Sequence, residues 1–247
     1  MKVLATYNIK GGVGKTATAV NLSYLAARDG QRVLLADLDP QAAATYTLRV
    51  RPRVKGGGKA LITGSRELDA AIKGTDFGNL DLLPADFTFR NLDLMLDATK
   101  KPTQRLARLL RPLRASYDLV FLDCPPGISL LSESVLHAAD LALVPIIPTT
   151  LSLRTLDQLT EFISDFDGPR PEVLAFSSMI DRRKRLHKEI AERLPAERKD
   201  VADTAIPALS MIEQMSVRRA PVAAFAPRSA AARAYAQLWA EVRDRLF

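Results

Sequence analysis

The 247-residue chain has almost none of the residues from which disulfide frameworks and metal-binding clusters are built. Its single cysteine, Cys124, cannot form a disulfide within the chain, so we expect a reducing, cytoplasmic environment. The two histidines, His137 and His187, have no partners at metal-ligand spacing. No apolar stretch approaches the ~20 residues that cross a bilayer. These shortages exclude disulfide-rich secreted domains and integral membrane proteins.

The remaining composition suits one large α/β domain, since 47% of the residues are hydrophobic. Apolar runs such as Val33–Ala36 and Leu119–Leu122 are unbroken, which is typical of parallel strands buried on both faces. They alternate with helical patterns and show no composition break. We therefore predict a single domain over residues 1–247, an α/β fold with a mostly parallel twisted sheet flanked by helices on both faces.

The boundaries of these elements follow from the periodicity of the apolar residues. The predicted strands are Lys2–Tyr7, Arg32–Asp37, Leu80–Pro84, Asp118–Asp123, Leu141–Pro145, Val173–Met179 and a short one near Ala205–Ile206. The predicted helices are Lys15–Arg28, Thr103–Arg114, Leu130–Ala139, Leu153–Asp165, Lys184–Leu194 and Ala230–Leu246.

A glycine-rich turn, Lys10-Gly-Gly-Val-Gly-Lys-Thr16, joins the first predicted strand to the first helix. Glycines let a polyphosphate lie against backbone N–H groups, and the following helix directs its positive dipole end toward the phosphates. Lys15 can then reach the β- and γ-phosphates, and the Thr16 hydroxyl can bind Mg²⁺. The turn therefore predicts a phosphate loop and a P-loop NTPase fold.

Carboxylates follow two other predicted strands. Asp37 and Asp39 end the second strand, and Asp123 ends the fourth. Parallel sheets bind ligands outside the carboxyl ends of their strands, where all three residues would lie. An aspartate at a strand end often only caps the next helix, but three beside a phosphate loop indicate a nucleotide hydrolase.

The residues around these motifs resemble the ParA/MinD family of deviant Walker ATPases, whose signature is K-G-G-x-G-K-[ST]. Asp37-Leu-Asp-Pro-Gln41 is similar to its first switch, and Asp123-Cys-Pro-Pro-Gly127 is similar to its second. The resemblance implies that Lys10 crosses a dimer interface to the partner's nucleotide. It also implies that Asp39 positions water or senses the γ-phosphate, and that Asp123 binds Mg²⁺ largely through water.

The same resemblance implies ATP and Mg²⁺ as cofactors and assigns the site residues. The expected catalytic residues are Lys10, Lys15, Asp39 and Asp123, and the expected metal-binding residues are Thr16, Asp39 and Asp123. The expected nucleotide contacts are Gly11, Gly12, Val13, Gly14, Lys15, Thr16, Ala17, Met179, Asp181, Ile206 and Pro207.

Basic residues are clustered, and the chain carries a net charge of +7. One set extends from Arg182 through Lys188 to Lys199, a second from Lys100 to Arg114, and a third from Arg49 to Lys59. Most charge runs are merely solvated faces, yet such patches also bind DNA phosphates by releasing counterions. Family relatives bind DNA through basic residues of the C-terminal half. The resemblance therefore favours Arg182, Arg183, Lys184, Arg185, Lys188, Arg218 and Arg219 as DNA contacts.

The sequence is compatible with three functions. The favoured one is a nucleoid-associated ATPase that dimerises with ATP, binds DNA non-specifically and partitions DNA or positions a protein cargo. A ParB-like or cargo-adaptor partner would stimulate its hydrolysis. A MinD-like ATPase on a membrane surface is the alternative. It is disfavoured because the apolar residues of the last helix recur at the spacing of a core-packed face, namely Tyr235, Leu238, Trp239, Val242 and Leu246. A metal- or cofactor-inserting ATPase would be expected to show paired cysteines or histidines.

Overall fold

The computed structural model describes residues 1–63 and 68–247. Its sheet has seven strands in the order β3-β4-β2-β5-β1-β6-β7, parallel except for the antiparallel pair β3–β4. The strands are β1 (Lys2–Thr6), β2 (Val33–Asp37), β3 (Lys73–Gly74), β4 (Leu80–Leu83), β5 (Leu119–Asp123), β6 (Leu141–Ile146) and β7 (Glu172–Ser177). This mostly parallel sheet confirms the predicted fold class.

Helices cover both faces of this sheet. They are α1 (Lys15–Arg28), α2 (Ala43–Thr47), α3 (Gly57–Thr63), α4 (Leu92–Asp97), α5 (Arg105–Leu110), α6 (Leu130–Ala138), α7 (Thr150–Ser164), α8 (Arg185–Glu197), α9 (Ser210–Arg218), α10 (Val222–Phe225) and α11 (Ala230–Leu246). Short 3-10 helices occupy Leu68–Ala71, Phe87–Asn91, Pro102–Gln104 and Arg111–Ala115. Within residues 1–63 and 68–247, none of the helices has both the length and the apolar character that a membrane span needs.

Two predicted elements were wrong in detail. The helix expected over Thr103–Arg114 is divided, with α5 between two 3-10 helices. Pro112 contributes to this division, because proline lacks the N–H that an α-helix needs and clashes with the preceding turn. No strand forms near Ala205–Ile206. The chain there donates a hydrogen bond from Ile206 N to Ser177 O of β7 at 2.8 Å. An isolated bridge joins Pro207 to Ile180, which follows β7.

The unbroken apolar runs of the central strands bury side chains on both faces. Successive strand residues point to opposite sides, so Leu34 joins one hydrophobic cluster and Leu35 the other. The first cluster includes side chains of α4 to α8, and the second includes side chains of α1 and α11. Every residue of β2 and β5 is buried. The two strands that carry the predicted carboxylates therefore lie at the rigid centre of the molecule.

We expect Phe121→Ala to lower the free energy of unfolding by about 3–5 kcal/mol. Phe121 is fully buried in β5, with its ring centroid 6.3 Å from that of Trp239 on α11, so truncation leaves a cavity between sheet and helix. Leu94→Ala is the matched control, because Leu94 is 74% exposed and should change stability by no more than about 0.5 kcal/mol. Chemical denaturation measures both, and equal effects would contradict this account of the core.

Candidate functional site

The phosphate loop lies between the end of β1 and the start of α1. Gly12 and Gly14 have φ angles of 69° and 95°, a backbone region that favours glycine. At Gly14 a Cβ would also lie 3.0 Å from Ser178 Oγ. Gly14 is the N-cap of α1, so the first free N–H groups of that helix face the space above the loop. The loop can therefore hold an anion against backbone donors, as its glycines predict.

Lys15 is anchored at the base of this loop. Its side chain is buried, and Nζ donates to the carbonyl oxygens of Lys10 at 2.9 Å and Asn8 at 3.3 Å. An ammonium has three donors, so one remains for a ligand. Burial lowers the pKa of Lys15, while the nearby charge of Asp123 acts in the opposite direction. The lysine therefore presents a positive charge at a fixed position beside the loop.

The ends of three adjacent strands bring the polar residues together. In the sheet register Asp123 of β5 lies between Thr6 of β1 and Asp37 of β2. Asp37 is fully buried, and its carboxylate accepts hydrogen bonds from the Thr45 N–H at 2.8 Å and hydroxyl at 2.7 Å. Burial raises the pKa of Asp37 despite these bonds. Asp37 therefore holds α2 against the end of the sheet.

Asp123 has the features expected of a metal-binding carboxylate. One oxygen accepts from the Thr6 hydroxyl at 3.4 Å, and Oδ2 has no partner among the described residues although it is fully buried. Burial and the charge of Asp37 raise the pKa of Asp123, whereas the nearby Thr16 hydroxyl lowers it. A buried carboxylate oxygen without a donor is costly unless a cation compensates it. Asp123 and the Thr16 hydroxyl together therefore fit Mg²⁺.

Asp39 lies two residues beyond Asp37, at the mouth of the site, and is partly exposed. Its Oδ1 accepts from the Gln41 N–H at 2.9 Å, and its carbonyl oxygen accepts from the Ala42 N–H at 2.9 Å. This turn holds the carboxylate at the edge of the cavity that the phosphate loop borders. Asp39 can therefore meet a water molecule or a terminal phosphate there.

A cavity of about 400 Å³ opens above the loop. Its polar end is formed by the loop and Asp39, and its apolar end by the segment after β7 together with α9 and α11. The lining residues are Gly11, Gly12, Gly14, Lys15, Thr16, Ala17, Asp39, Pro126, Ser178, Met179, Ile206, Pro207, Ala208, Leu209, Ile212, Glu213 and Tyr235. A charged end beside an apolar end suits a phosphorylated compound with a flat ring.

Most of the predicted nucleotide contacts line this cavity, but Val13 and Asp181 do not. Val13 belongs to the loop itself, and its side chain is buried. The Asp181 carboxylate accepts from Arg183 at 2.9 Å, and that bond holds the pKa of Asp181 well below its usual range. The roles of both residues toward a nucleotide stay predictions.

The cavity also includes residues that sequence reasoning missed. Ser178, Leu209, Ile212 and Tyr235 all line it, and none belongs to a recognisable motif. Tyr235 was predicted only to pack the last helix against the core. It is buried as expected, and it also forms part of the cavity wall. Helical spacing identified the packed face but not the ligand space at its end.

The predicted DNA contacts differ in whether their side chains form ion pairs with acidic residues. Arg183 pairs with Asp181 at 2.9 Å and Arg185 with Glu189 at 2.5 Å, although both arginine side chains are 90% exposed. No ion pair of the described residues involves the other members of the set, which are Arg182, Lys184, Lys188, Arg218 and Arg219. Arg219 instead places its guanidinium 4.6 Å from the centre of the Tyr46 ring.

Comparison with known proteins gives consistent matches. A family model described as an AAA domain matches residues 1–173. The chromosome partitioning protein ParA of Caulobacter vibrioides is 34% identical over 254 residues, which is 99% of this chain and 95% of that protein. The sporulation initiation inhibitor protein Soj of Bacillus subtilis is 32% identical over 247 residues, or 98% of each chain.

A solved structure adds information on ligands. It is described as cobyrinic acid a,c-diamide synthase from Mycobacterium smegmatis with a bound ATP analogue and magnesium. It is 29% identical to this chain, with a TM-score of 0.83 over 98% of this chain and 94% of its own. The likeness therefore extends over nearly the whole fold, including the strands and helices that surround the cavity.

Proposed function

Because the chain belongs to the ParA/MinD family of ATPases, we propose that it dimerises with ATP, binds DNA non-specifically, and partitions DNA or positions a protein cargo. ATP and Mg²⁺ are its cofactors. A ParB-like or cargo-adaptor protein would stimulate an otherwise slow hydrolysis. Its place in the cell would be the cytoplasm, on the nucleoid.

The observation that carries this proposal is the contrast between two lysines five residues apart. Lys15 is buried and lines the cavity, whereas Lys10 is partly exposed and does not. The Lys10 backbone is fixed by its N–H bond to Asn8 Oδ1 at 2.8 Å and by its carbonyl bond to Lys15. A fixed lysine beside the phosphates but outside their cavity is available to the nucleotide of a second subunit. Lys10 would thus make dimerisation depend on ATP.

The proposed hydrolysis uses residues at the polar end of the cavity together with Asp123, which is fully buried and does not line the cavity. Backbone N–H groups of Gly11 to Thr16 would bind the phosphates, and Lys15 would contact the β- and γ-phosphates. Thr16 and Asp123 would hold Mg²⁺, which neutralises charge on the phosphate oxygens when bound. Asp39 would orient the attacking water at the open side of the site, and Asp37 would hold the Asp39 turn in place through α2.

At the apolar end the adenine base would lie among the side chains that follow β7. Met179, Ile206 and Pro207 are among the expected nucleotide contacts, and all three line the cavity. Leu209 and Tyr235 add apolar surface that a flat ring can contact. We propose that this end holds the base.

Contacts of the last helix support binding to DNA rather than to a membrane surface. Tyr235, Leu238, Trp239 and Val242 are all buried against the sheet and α1. The apolar face of α11 is therefore already used in the core, whereas membrane-surface helices bury such a face in lipid. Exposed cations, by contrast, are present at Arg182, Lys184 and Lys188, as DNA binding requires.

We expect charge reversal at Arg182, Lys184 and Lys188 to weaken DNA binding at least about tenfold without changing ATP-driven dimerisation. Each phosphate contact that is lost should make the plot of log K against log salt shallower by about 0.9. Binding of duplexes of several sequences by the ATP-bound protein, over a range of salt, measures both effects. Affinity should not depend on sequence, because phosphate contacts carry no base information.

The matched control reverses Arg28, Arg154 and Arg228, which are exposed and belong to none of the predicted DNA sets. It changes the net charge equally and should bind DNA nearly as well as the wild type. The DNA proposal fails if the ATP-bound wild type does not bind DNA. If the wild type binds DNA but reversal of Arg182, Lys184 and Lys188, of Arg218 with Arg219, and of the basic residues from Lys100 to Arg114 all leave binding intact, the DNA contacts are assigned to the wrong residues. If the wild type binds no DNA, pelleting with liposomes and ATP tests the membrane-surface alternative.

A further inference from the structure

A second cavity, which we call the β3-edge pocket, lies where the sheet ends at β3. It has a volume of about 520 Å³ and shares no lining residue with the nucleotide cavity. Its apolar lining comes from Val50, Ala70 and Ala71. The remaining lining residues are Gly74 and five cations, which are Arg49, Arg51, Arg53, Lys55 and Lys73. Such a pocket suits an anionic ligand with some apolar surface.

The walls of the β3-edge pocket are held by the surrounding structure. On one side Val54 is buried, and its N–H donates to Asp86 Oδ2 at 3.0 Å, which fixes the segment that carries Arg53. On the other side Lys73 belongs to β3 and pairs with Leu82 of β4. The cations are therefore carried by anchored backbone segments, so that binding of a ligand should cost little backbone conformational entropy.

The positive charge of the pocket is only partly compensated by carboxylates, of which Asp86 lies near Arg53 and has its pKa lowered by hydrogen bonds and in part by that charge. Arg49 forms an ion pair with Asp76 at 3.4 Å, in which both side chains are more than half exposed. Arg51, Arg53, Lys55 and Lys73 take part in no ion pair within residues 1–63 and 68–247. Like charges gathered around one cavity repel one another and raise the local concentration of anions. A polyanion would relieve that repulsion.

Arg49 joins the pocket to two residues of the proposed DNA surface. Its Nε donates to the carbonyl oxygen of Arg219 at 3.0 Å, and its Nη2 to that of Arg218 at 3.2 Å. Arg219 Nε in turn donates to the carbonyl oxygen of Tyr46 at 3.0 Å. The basic residues at the end of α9 and those of the pocket therefore form one continuous positive surface.

We propose that the β3-edge pocket binds phosphates of the DNA backbone and extends the DNA surface from Arg218 and Arg219 to the edge of the sheet. This inference rests on the proposed function. The cations are exposed and come from two separate segments, which suits successive phosphates of one strand better than a single small anion. The apolar residues between them can contact deoxyribose. The ligand is thus an extended sugar–phosphate chain.

The test neutralises three cations of the pocket in the full chain, as Arg51→Gln, Arg53→Gln and Lys73→Gln together. The ATP-bound variant should bind a random-sequence duplex at least about tenfold more weakly than the wild type. Its salt plot should be shallower by about 0.9 for each phosphate contact that is lost. The matched control is Arg28→Gln, Arg154→Gln and Arg228→Gln, which removes the same charge from exposed positions elsewhere. Melting temperatures show whether each variant is folded. If the triple variant is not folded, the double variant Arg51→Gln with Lys73→Gln takes its place in the same measurement.

Each outcome separates this inference from the function on which it rests. If the wild type binds DNA and the pocket variant behaves as the control does, the inference is overturned and the proposed function stands. If the wild type binds no DNA with ATP, the proposed function has failed. Calorimetry with inorganic pyrophosphate provides a third arm. Pyrophosphate binding that the pocket variant loses, with DNA affinity unchanged, would show a small-anion site and overturn the assignment to DNA.

Discussion

Replacing Lys10 by Ala is expected to abolish ATP-dependent dimerisation while leaving ATP binding nearly unchanged. Lys10 does not line the nucleotide cavity of its own chain, so its removal should cost that cavity little. Across the interface it would form a charge-assisted contact with a phosphate, and loss of such a buried contact costs about 2–5 kcal/mol. The dimer dissociation constant should therefore rise by a factor of about 30 to 4,000. Sedimentation with a non-hydrolysable ATP analogue measures this shift.

Lys15→Ala is the control, because it should reduce nucleotide binding itself. The two lysines lie on the same loop, and only Lys15 is buried against it. A fluorescent ATP analogue would separate the two variants, with normal binding for Lys10→Ala and weak binding for Lys15→Ala. A wild-type protein with the same mass in the presence and absence of the analogue would refute the proposed ATP-dependent dimer.

Replacing Asp39 by Ala is expected to reduce ATP turnover by about a factor of 10² to 10⁴, the usual contribution of a positioned acid or base. ATP binding should change little, because Lys15 and Asp123 keep their own contacts. Since hydrolysis would release the dimer, the variant should accumulate as an ATP-bound dimer. Phosphate release under saturating ATP and sedimentation with ATP itself measure these two effects.

Asp37→Asn is the comparison for a structural effect at the same loop. Asp37 is buried and bonded to Thr45, so its loss should lower the melting temperature as well as the rate. Asp39 is partly exposed, and Asp39→Ala should melt near the wild-type temperature. Turnover by Asp39→Ala at the wild-type rate would show that another group orients the water.

The local chemistry of this protein can be recognised in its amino-acid sequence. The phosphate loop is a run of seven residues, Lys10–Thr16, and each residue type has a role that depends on its immediate neighbours. The buried strands could also be predicted from the sequence, because a strand covered on both faces is apolar along nearly its whole length. The positions of β2 and β5 then placed Asp37 and Asp123 at strand ends. Family and fold followed from these local patterns.

Contacts between residues far apart in the sequence could not be predicted and depend on how the chain folds. The register of β1, β5 and β2 set Thr6, Asp123 and Asp37 side by side, so burial raises the pKa of both carboxyls. Tyr235 of the last helix lines the nucleotide cavity, although it lies about 220 residues beyond the phosphate loop in the sequence. Sequence spacing carries no information on such contacts, because they depend on how helices pack across the sheet.

The basic side chains show the same difference between what can be predicted from the sequence and what depends on the fold. Clusters of arginine and lysine were visible in the sequence, but their availability was not. Arg183 proved to be paired with Asp181, and Arg49 proved to join the end of α9 to a pocket of cations at the edge of the sheet. Whether a charge is free depends on which acid or carbonyl group folds against it. That is a property of the packed chain, while the charge itself belongs to the residue.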